Sequence, residues 1–220
     1  MYYRETNMTE RDQSADTRQR LLEAAGQVFA ERGFHHATIR EICERAKAKN
    51  VAAVHYHFGE KEELYRAVFE YASKYAPHPG EEAFTAGSPE QRLRKIVQTS
   101  LTRFFDEGRP AWLGKLIARE MIEPTSMLDM MVKQQMRPNA ERLKEIIREL
   151  IDDKVDDETL RHCMLSVAAQ WVFYFHNGPV IKRLYPAQRF GPKEVDRLVD
   201  DITRFSVAAL KGWKGTRVEA

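Results

Sequence analysis

Residues 38–64 read TIREICERAKAKNVAAVHYHFGEKEEL and decide the fold of the N-terminal part of the chain. Thr38 offers a hydroxyl that can cap a helix, and Glu41 follows three residues later, as in a capping box. Ile39 and Ile42 then fall on one face of that helix, with charged residues opposite them. The pattern predicts a short helix that begins after Thr38 and has one buried side.

A second short helix follows a polar interruption at residues 47–49. Asn50 is a good capping residue for this helix, which carries the small and apolar residues 51–54. The helix ends in His-Tyr-His-Phe before Gly59, a residue suited to the left-handed backbone beyond a helix end. Two short helices joined by a tight turn are typical of proteins that place one helix in the major groove of DNA.

Residues 29–64 resemble the DNA-binding domain of the tetracycline-repressor (TetR/AcrR) family. The resemblance rests on FAERGF at 29–34, the cap at Thr38, a Tyr-x-Phe exit, and a Gly-x-Lys-x-x-Leu pattern at 59–64. This chain departs from the family in two ways: Lys47 stands where a Gly is usual, and the turn is one residue longer than the commonest form. Residues 50–59 and the run MIEPTSMLDMMVKQQMRPN at 121–139 are similar to the CecR-like subgroup.

The candidate DNA contacts divide by the part of the duplex that each residue type can reach. Predicted phosphate contacts are Thr38, Arg40, Tyr56, His57 and Lys61. Predicted readers of base edges are Lys49, Asn50, Val51, Ala52 and His55. The resemblance implies a backbone-contacting role for Tyr56 and for Lys61. His55 and His57 have an alternative role as surface or packing polarity.

Charge supports the same location for DNA binding, although the chain as a whole is only mildly basic. The net charge is +2 with a pI near 8.5. Positive residues nevertheless cluster around the two short helices, where field strength matters for a groove. They are Arg32, Arg40, Arg45, Lys47 and Lys49, against Glu41 and Glu44.

Composition predicts a globular protein rather than a membrane protein. Of the 220 residues, 43% are hydrophobic and 31% are charged, and no apolar run reaches the roughly 20 residues of a membrane span. The first 16 residues are polar and lack the apolar core of a signal peptide, so we expect a flexible arm and a cytoplasmic protein. Cys43 and Cys163 fall on apolar faces of separate helices, which favours buried free thiols over a disulfide.

Helical periodicity continues to the end of the chain, so the predicted fold is all-α. Further helices are expected at 17–32, 61–75, 88–107, 111–122, 125–152, 157–177 and 193–213, and Pro138 should kink or split the fifth of these. Together with the two short helices, they predict a helix-turn-helix domain over 17–76. A larger helical domain for regulation and dimerisation follows over 77–220.

The last two predicted helices carry wide apolar stripes that favour a homodimer interface. The candidate interface residues are Met164, Val167, Ala168, Trp171, Val172, Leu198, Ile202, Phe205 and Ala209. Filling the core of a single subunit is the alternative explanation for both stripes. The resemblance and the two-fold symmetry of operator DNA favour the dimer.

Soft methionine and aromatic side chains in the larger domain suit a pocket for a small apolar or aromatic effector. The candidate lining is Phe104, Trp112, Leu116, Glu120, Met127, Met130, Met131, Trp171 and Phe175, and an ordinary helical core is the alternative. The sequence shows no phosphate loop, metal-binding pattern or nucleophile elbow, so no catalytic residue, metal or cofactor is predicted. We therefore expect a ligand-responsive repressor. The alternatives are a DNA-binding regulator controlled by a protein partner and an all-helical enzyme.

Overall fold

The described part of the chain is helical throughout, in agreement with the predicted all-α class. The computed structural model describes residues 3–48, 50–73, 82–105, 108, 110–151 and 154–213, apart from the side chains of 3–12, 73 and 83. The helices are α1 (Tyr3–His36), α2 (Ile39–Arg45), α3 (Ala52–Phe58), α4 (Lys61–Ser73), α5 (Glu82–Thr85), α6 (Pro89–Phe105), α7 (Leu113–Ile122), α8 (Ser126–Met131), α9 (Arg137–Leu150), α10 (Asp157–His176), α11 (Gly178–Leu184) and α12 (Pro192–Lys211).

Helix α1 begins well before the position that the apolar pattern indicates. The sequence predicts an arm over 1–16, whereas the helix runs from Tyr3. Residues of this segment include several good helix formers without an apolar stripe, so periodicity cannot show the helix start. At the other end, Gly33 breaks the helical geometry with φ 78° and ψ 166°, at the glycine where the sequence predicts the helix to end.

The two short helices form as predicted, with one change in their capping. Thr38 caps α2, since its hydroxyl accepts a hydrogen bond from the Glu41 N–H at 3.2 Å. Helix α3 has Val51 at its cap position with no side-chain hydrogen bond, so the prediction that Asn50 caps this helix is wrong. Helix α3 thus begins at Ala52, one residue later than a cap at Asn50 would place it.

Lys47 holds the tight turn between α2 and α3. Its φ of 52° makes it the one residue other than glycine with a positive φ in the described part of the chain. Its N–H donates to the Glu44 carbonyl at 3.2 Å, and the Ala48 N–H donates to the Cys43 carbonyl at 2.9 Å. Lys47 therefore adopts the left-handed conformation that explains the glycine usual at this place in the resembling family.

The chain divides into two compact units whose boundaries differ from the predicted domains. Unit 1 comprises residues 1–76 and 108–129, and unit 2 comprises 77–107 and 130–220. Helix α7, which the sequence places in the larger domain, is thus part of the same unit as the helix-turn-helix. The predicted domains are contiguous in sequence, because no local sequence pattern shows that a later helix packs against an earlier one.

Helix α7 packs on α1 through side chains at both of its ends. The Trp112 indole lies against Gly26, where an added Cβ would come within 2.4 Å of the ring, and its N–H donates to Glu23 Oε2 at 2.9 Å. At the other end, Arg119 donates to the Glu31 carbonyl at 3.1 Å. A glycine at position 26 is therefore required for the close approach of the indole.

Unit 2 is a helical bundle built around α6, α9, α10 and α12. Its core includes Leu93, Val97, Leu101, Ile147, Leu160 and Val199. The long helix expected over 125–152 is split into α8, a π-helical turn at Val132–Met136, and α9. Pro138 explains the split, because it cannot donate to the carbonyl four residues earlier and its ring crowds that turn. Helices α5 and α11 are too short for periodicity to predict.

Cys43 and Cys163 are both buried free thiols, as their places in the sequence predict. Burial raises the pKa of each thiol above its ordinary value, so both side chains act as small apolar groups in the core.

Replacing Lys47 with glycine should stabilise the protein. A left-handed residue other than glycine is strained, and relief of that strain exceeds the extra chain entropy of glycine by about 0.5 to 1 kcal/mol. Urea denaturation should show a higher free energy of unfolding for Lys47→Gly. Lys47→Ala keeps the strain and serves as the control, so equal stabilisation by both variants would contradict this account.

Candidate nucleic-acid interface

Helix α3 presents one exposed face that consists of Val51 at the cap, Ala52, His55 and Tyr56. Val51 is 40% exposed and Tyr56 is 81% exposed, whereas Val54 on the opposite side is fully buried. Val54 anchors the helix in unit 1, since removal of apolar surface from water holds the inner side in place. The structure thus brings four of the predicted contact residues onto one surface.

Tyr56 is an unusual residue for a protein surface because it extends an aromatic ring into solvent. Its ring packs edge-on against His57 with 4.9 Å between the centroids. That contact orients the ring. The phenol O–H of Tyr56 has no hydrogen-bond partner among the described residues. A tyrosine held in this way can donate its O–H to a phosphate oxygen.

Thr38 combines its capping role with a free donor. The hydroxyl oxygen accepts from the Glu41 N–H, which leaves the O–H available. The side chain is exposed at the start of α2. A phosphate at this position would also meet the positive end of the helix. The Thr38 hydroxyl is therefore accessible for the predicted phosphate contact.

The basic residues near α2 are more fully paired than the sequence suggests. Arg40 pairs with Glu44 at 3.0 Å, Arg32 pairs with Glu41 at 3.3 Å, and Arg45 pairs with Glu31 at 2.8 Å and Glu41 at 3.8 Å. Glu31 lies outside the stretch in which the sequence counts charges. Arg32 and Arg45 thus tie α1 to α2.

Arg40 differs from its two neighbours because its side chain is 85% exposed. An exposed ion pair contributes little stability, so a phosphate can take the place of Glu44 at low cost. Lys47 is exposed and has no ion pair in the described part of the chain. Lys49 lies outside the described residues, and Asn50 is exposed beside α3.

Lys61 has an intramolecular role as well as a predicted phosphate contact. Its ammonium donates to the His35 carbonyl at 3.4 Å and lies 4.8 Å from the centroid of the Phe34 ring. Desolvation lowers the pKa of Lys61, and nearby Glu62 acts in the opposite direction. The lysine therefore fixes the start of α4 against the end of α1.

His57 lies apart from the exposed face of α3. It is partly buried, and its pKa is lowered first by desolvation and then by the positive charge of Arg18. The Arg18 guanidinium also lies 5.0 Å from the centroid of the Phe58 ring. This cluster packs α3 against α1, which favours the packing role for His57 over the predicted phosphate contact.

The predicted effector-pocket residues do not form one site within either unit. Trp112, Leu116, Glu120 and Met127 are buried in unit 1, while Phe104, Met130, Met131, Trp171 and Phe175 belong to unit 2. Phe104 stacks on Phe175 with 4.4 Å between centroids, and Trp171 is part of the core of unit 2. Most of these side chains are buried within one unit or the other, and the effector pocket stays a prediction.

The predicted dimer residues divide between the core of unit 2 and its surface. Val167, Trp171 and Ile202 are buried, Met164, Ala168 and Leu198 are partly buried, and Val172, Phe205 and Ala209 are exposed. Leu165 and Phe173, each 53% exposed, lie on the outward side of α10 and were missed. The apolar pattern of α10 covers almost its whole circumference, so periodicity alone could not separate the outward side from the inward side.

The described residues form neither a metal-binding cluster nor a membrane-spanning helix. Among them, no group of three or more His, Cys, Asp and Glu side chains is placed to hold a metal ion. None of the described helices combines the length and the apolar character that crossing a membrane requires.

Comparison with protein families identifies the chain. Residues 21–68 match the N-terminal model described as bacterial regulatory proteins of the TetR family. Residues 89–210, more than half of the chain, match the C-terminal domain of the HTH-type transcriptional dual regulator CecR. The chain belongs to the TetR family and has a CecR-type C-terminal domain. Both matched models describe transcriptional regulators, which is the class of protein that the sequence predicts.

Two curated relatives show how far the sequence similarity extends. The chain is 28% identical over 141 residues to the dual regulator CecR of Shigella flexneri, covering 59% of this chain and 62% of that protein. It is 40% identical over 91 residues to the transcriptional repressor NicS of Pseudomonas putida, covering 40% of this chain and 42% of that protein. The matches thus span less than two thirds of the length of these relatives.

Solved structures of other regulators share the fold of this chain. A linker mutant of HlyIIR has a TM-score of 0.58 and 26% identity, covering 88% of this chain and 97% of that chain. The fatty acid degradation regulator FadR of Bacillus halodurans has a TM-score of 0.61 and 16% identity, covering 89% and 96%. At 16% identity, the similarity to FadR indicates a shared fold and nothing more.

The pH dependence of stability should report the packing of His57. Because its pKa in the folded state lies below the ordinary 6.5, the unfolded chain binds more protons in that window. The free energy of unfolding should therefore fall as pH decreases through 6.5, and His57→Gln should flatten this fall. Arg18→Gln should flatten it only in part, since desolvation is the larger cause. Superimposable profiles for wild type and His57→Gln would contradict the assignment.

Proposed function

We propose that this TetR-family regulator binds a palindromic operator as a homodimer, represses transcription by occupying that site, and is released by a small apolar or aromatic effector. The exposed face of α3 carries the proposal. A seven-residue helix that buries Val54 and turns Val51, Ala52, His55 and Tyr56 to solvent has the shape that major-groove reading requires.

The residues of this interface have separate proposed roles. Val51, Ala52 and His55 meet base edges, with Asn50 and Lys49 at the start of the helix. The small Ala52 lets the backbone of α3 approach the groove. Thr38, Arg40 and Tyr56 hold phosphates on the two sides of the groove, and Lys61 adds positive charge at the start of α4. Only the first group would carry sequence information.

Variants of α3 should separate base reading from phosphate binding. His55→Ala should change which operator variants are preferred, because it removes a reader of base edges. Tyr56→Phe should weaken binding to all sequences by a similar factor, because it removes a donor to a phosphate. Mobility-shift titration against genomic fragments, followed by single-base operator variants at fixed salt, measures both effects.

Arg40→Gln and Lys61→Gln should each lower the slope of log affinity against log salt by roughly one unit, without changing sequence preference. Arg32→Gln is the matched control, since Arg32 is paired with Glu41 within the protein and is not a proposed DNA contact. A Lys61→Gln protein with altered sequence preference and an unchanged salt slope would contradict this division of roles.

Dimerisation is supported by apolar side chains on the outward sides of α10 and α12. Phe205 of α12 is 69% exposed, and Leu165 and Phe173 of α10 are each 53% exposed. Solvent-exposed apolar residues of this size favour association, and two antiparallel helices from each subunit can form a four-helix interface. A dimer would also match the two-fold symmetry of the proposed operator.

Phe205→Glu should convert the dimer to a monomer, since it places a charge in a buried apolar interface. Ile122→Glu is the matched control, because Ile122 is 79% exposed but belongs to α7 of unit 1, whereas the proposed interface helices belong to unit 2. Sedimentation velocity at micromolar concentration should separate the two variants. A dimeric Phe205→Glu protein would exclude α12 from the interface.

A cavity in unit 2 supports binding of a small effector. It has a volume of about 360 Å³ and is lined in part by Phe105, Phe190 and Val195, with Thr102 and Asp196 as polar groups. Its size falls within the range of small-molecule sites, and its lining is mainly apolar. None of the pocket residues predicted from the sequence lines it. Control by a protein partner remains the alternative, in which operator affinity responds to no small molecule.

A further inference from the structure

Glu120 of α7 is the charged side chain that is buried most completely in the described part of the chain. It is 1% exposed, and no lysine, arginine or histidine forms an ion pair with it there. A buried carboxylate without a cation requires hydrogen-bond donors on both oxygens. Its partners therefore show which elements it holds.

Donors from two separate elements satisfy the Glu120 carboxylate. Oε2 accepts the Tyr65 O–H at 2.7 Å, which connects it to α4. Oε1 accepts the Thr125 N–H at 2.6 Å, the Thr125 O–H at 2.9 Å and the Leu128 N–H at 3.1 Å, which connects it to the start of α8. One side chain thus joins α4 to the connection between α7 and α8.

Tyr65 is the residue through which this bond acts on α4. Its ring packs against Phe29, Phe34 and Phe69, with centroid distances of 4.7, 5.0 and 5.1 Å. Burial, and then the hydrogen bond to Glu120, raise the pKa of Tyr65 above its ordinary value. The phenol therefore remains protonated and donates to the carboxylate across the physiological range.

Helix α4 in turn fixes the DNA-facing helix. It begins at Lys61, only two residues separate it from the end of α3 at Phe58, and Tyr65 lies in its second turn. The Glu60 N–H donates to Glu63 Oε2 at 3.0 Å and makes the connection between the helices short and ordered. A small rotation of α4 must therefore change the direction in which α3 points.

We infer that Glu120 is a positioning residue for DNA reading: through Tyr65 and α4 it sets the orientation of α3. This inference rests on the proposed operator binding. Helix α7 then contributes to DNA reading as more than a packing partner, because its buried carboxylate accepts a hydrogen bond from α4. The effect requires the Tyr65 hydroxyl as well as the aromatic ring.

Tyr65→Phe removes that hydroxyl and keeps the ring contacts. Specific operator affinity should fall roughly tenfold, the effect expected for loss of one hydrogen bond to a charged group. The salt slope should not change, since the charges of Arg40 and Lys61 are untouched, and affinity for random DNA should fall less than specific affinity. All measurements are made under conditions in which denaturation curves show the variants to be folded.

Tyr71→Phe is the matched control. Tyr71 is also on α4, and its hydroxyl also donates a partly buried hydrogen bond to a carboxylate, that of Glu23 on α1. This variant should lose stability and retain operator affinity. Hydrogen exchange without DNA gives a second readout: amides of 52–58 should exchange faster in Tyr65→Phe than in Tyr71→Phe. Glu120→Gln should reproduce the effect of Tyr65→Phe, and the double variant should lose little more operator affinity than either single one.

Equal operator affinity and equal exchange of α3 in the two tyrosine variants would overturn the inference and leave Glu120 as a core residue only. Failure of the wild-type protein to bind any operator would remove the proposed function. In that case the exchange difference between Tyr65→Phe and Tyr71→Phe still decides whether Glu120 orients α3, because it needs no DNA.

Discussion

Helix α3 has only seven residues, and a helix of that length is not stable in water on its own. Its conformation must therefore come from burial of its inner side, chiefly of Val54, and from the helices that surround it. The same arrangement leaves its outer side exposed to solvent at Val51, Ala52, His55 and Tyr56. The proposed DNA interface thus depends on the support that unit 1 gives to the inner side of α3.

The support behind α3 forms a series of contacts within unit 1. Ion pairs of Arg32 and Arg45 tie α2 to α1, and Lys61 ties the start of α4 to the end of α1. Helix α7 closes the series with the indole of Trp112 against α1 and the Glu120 carboxylate against α4. Several charged residues that the sequence analysis assigns to DNA binding therefore stabilise unit 1. Arg40 is exposed and remains available for the proposed phosphate contact.

Much of this arrangement could be predicted because it depends on local chemistry. The cap at Thr38, the breaks at Gly33 and Pro138, and the all-α class follow from residue types and spacing. The placement of α7 could not, because it depends on contacts between residues almost ninety positions apart, such as Trp112 and Glu23. Nor could the role of Glu120: a carboxylate in a helical pattern carries no sign of the Tyr65 and Thr125 donors that bury it.

The central claim is that the exposed face of α3 reads one half of a two-fold operator. Selection of bound duplexes from a randomised library, at fixed salt, tests it most directly. The account predicts enrichment of an inverted repeat from the wild-type protein, with His55→Ala selecting a repeat changed at the same position in both halves. Enrichment of a single unrepeated site, or the same repeat from both proteins, would contradict it.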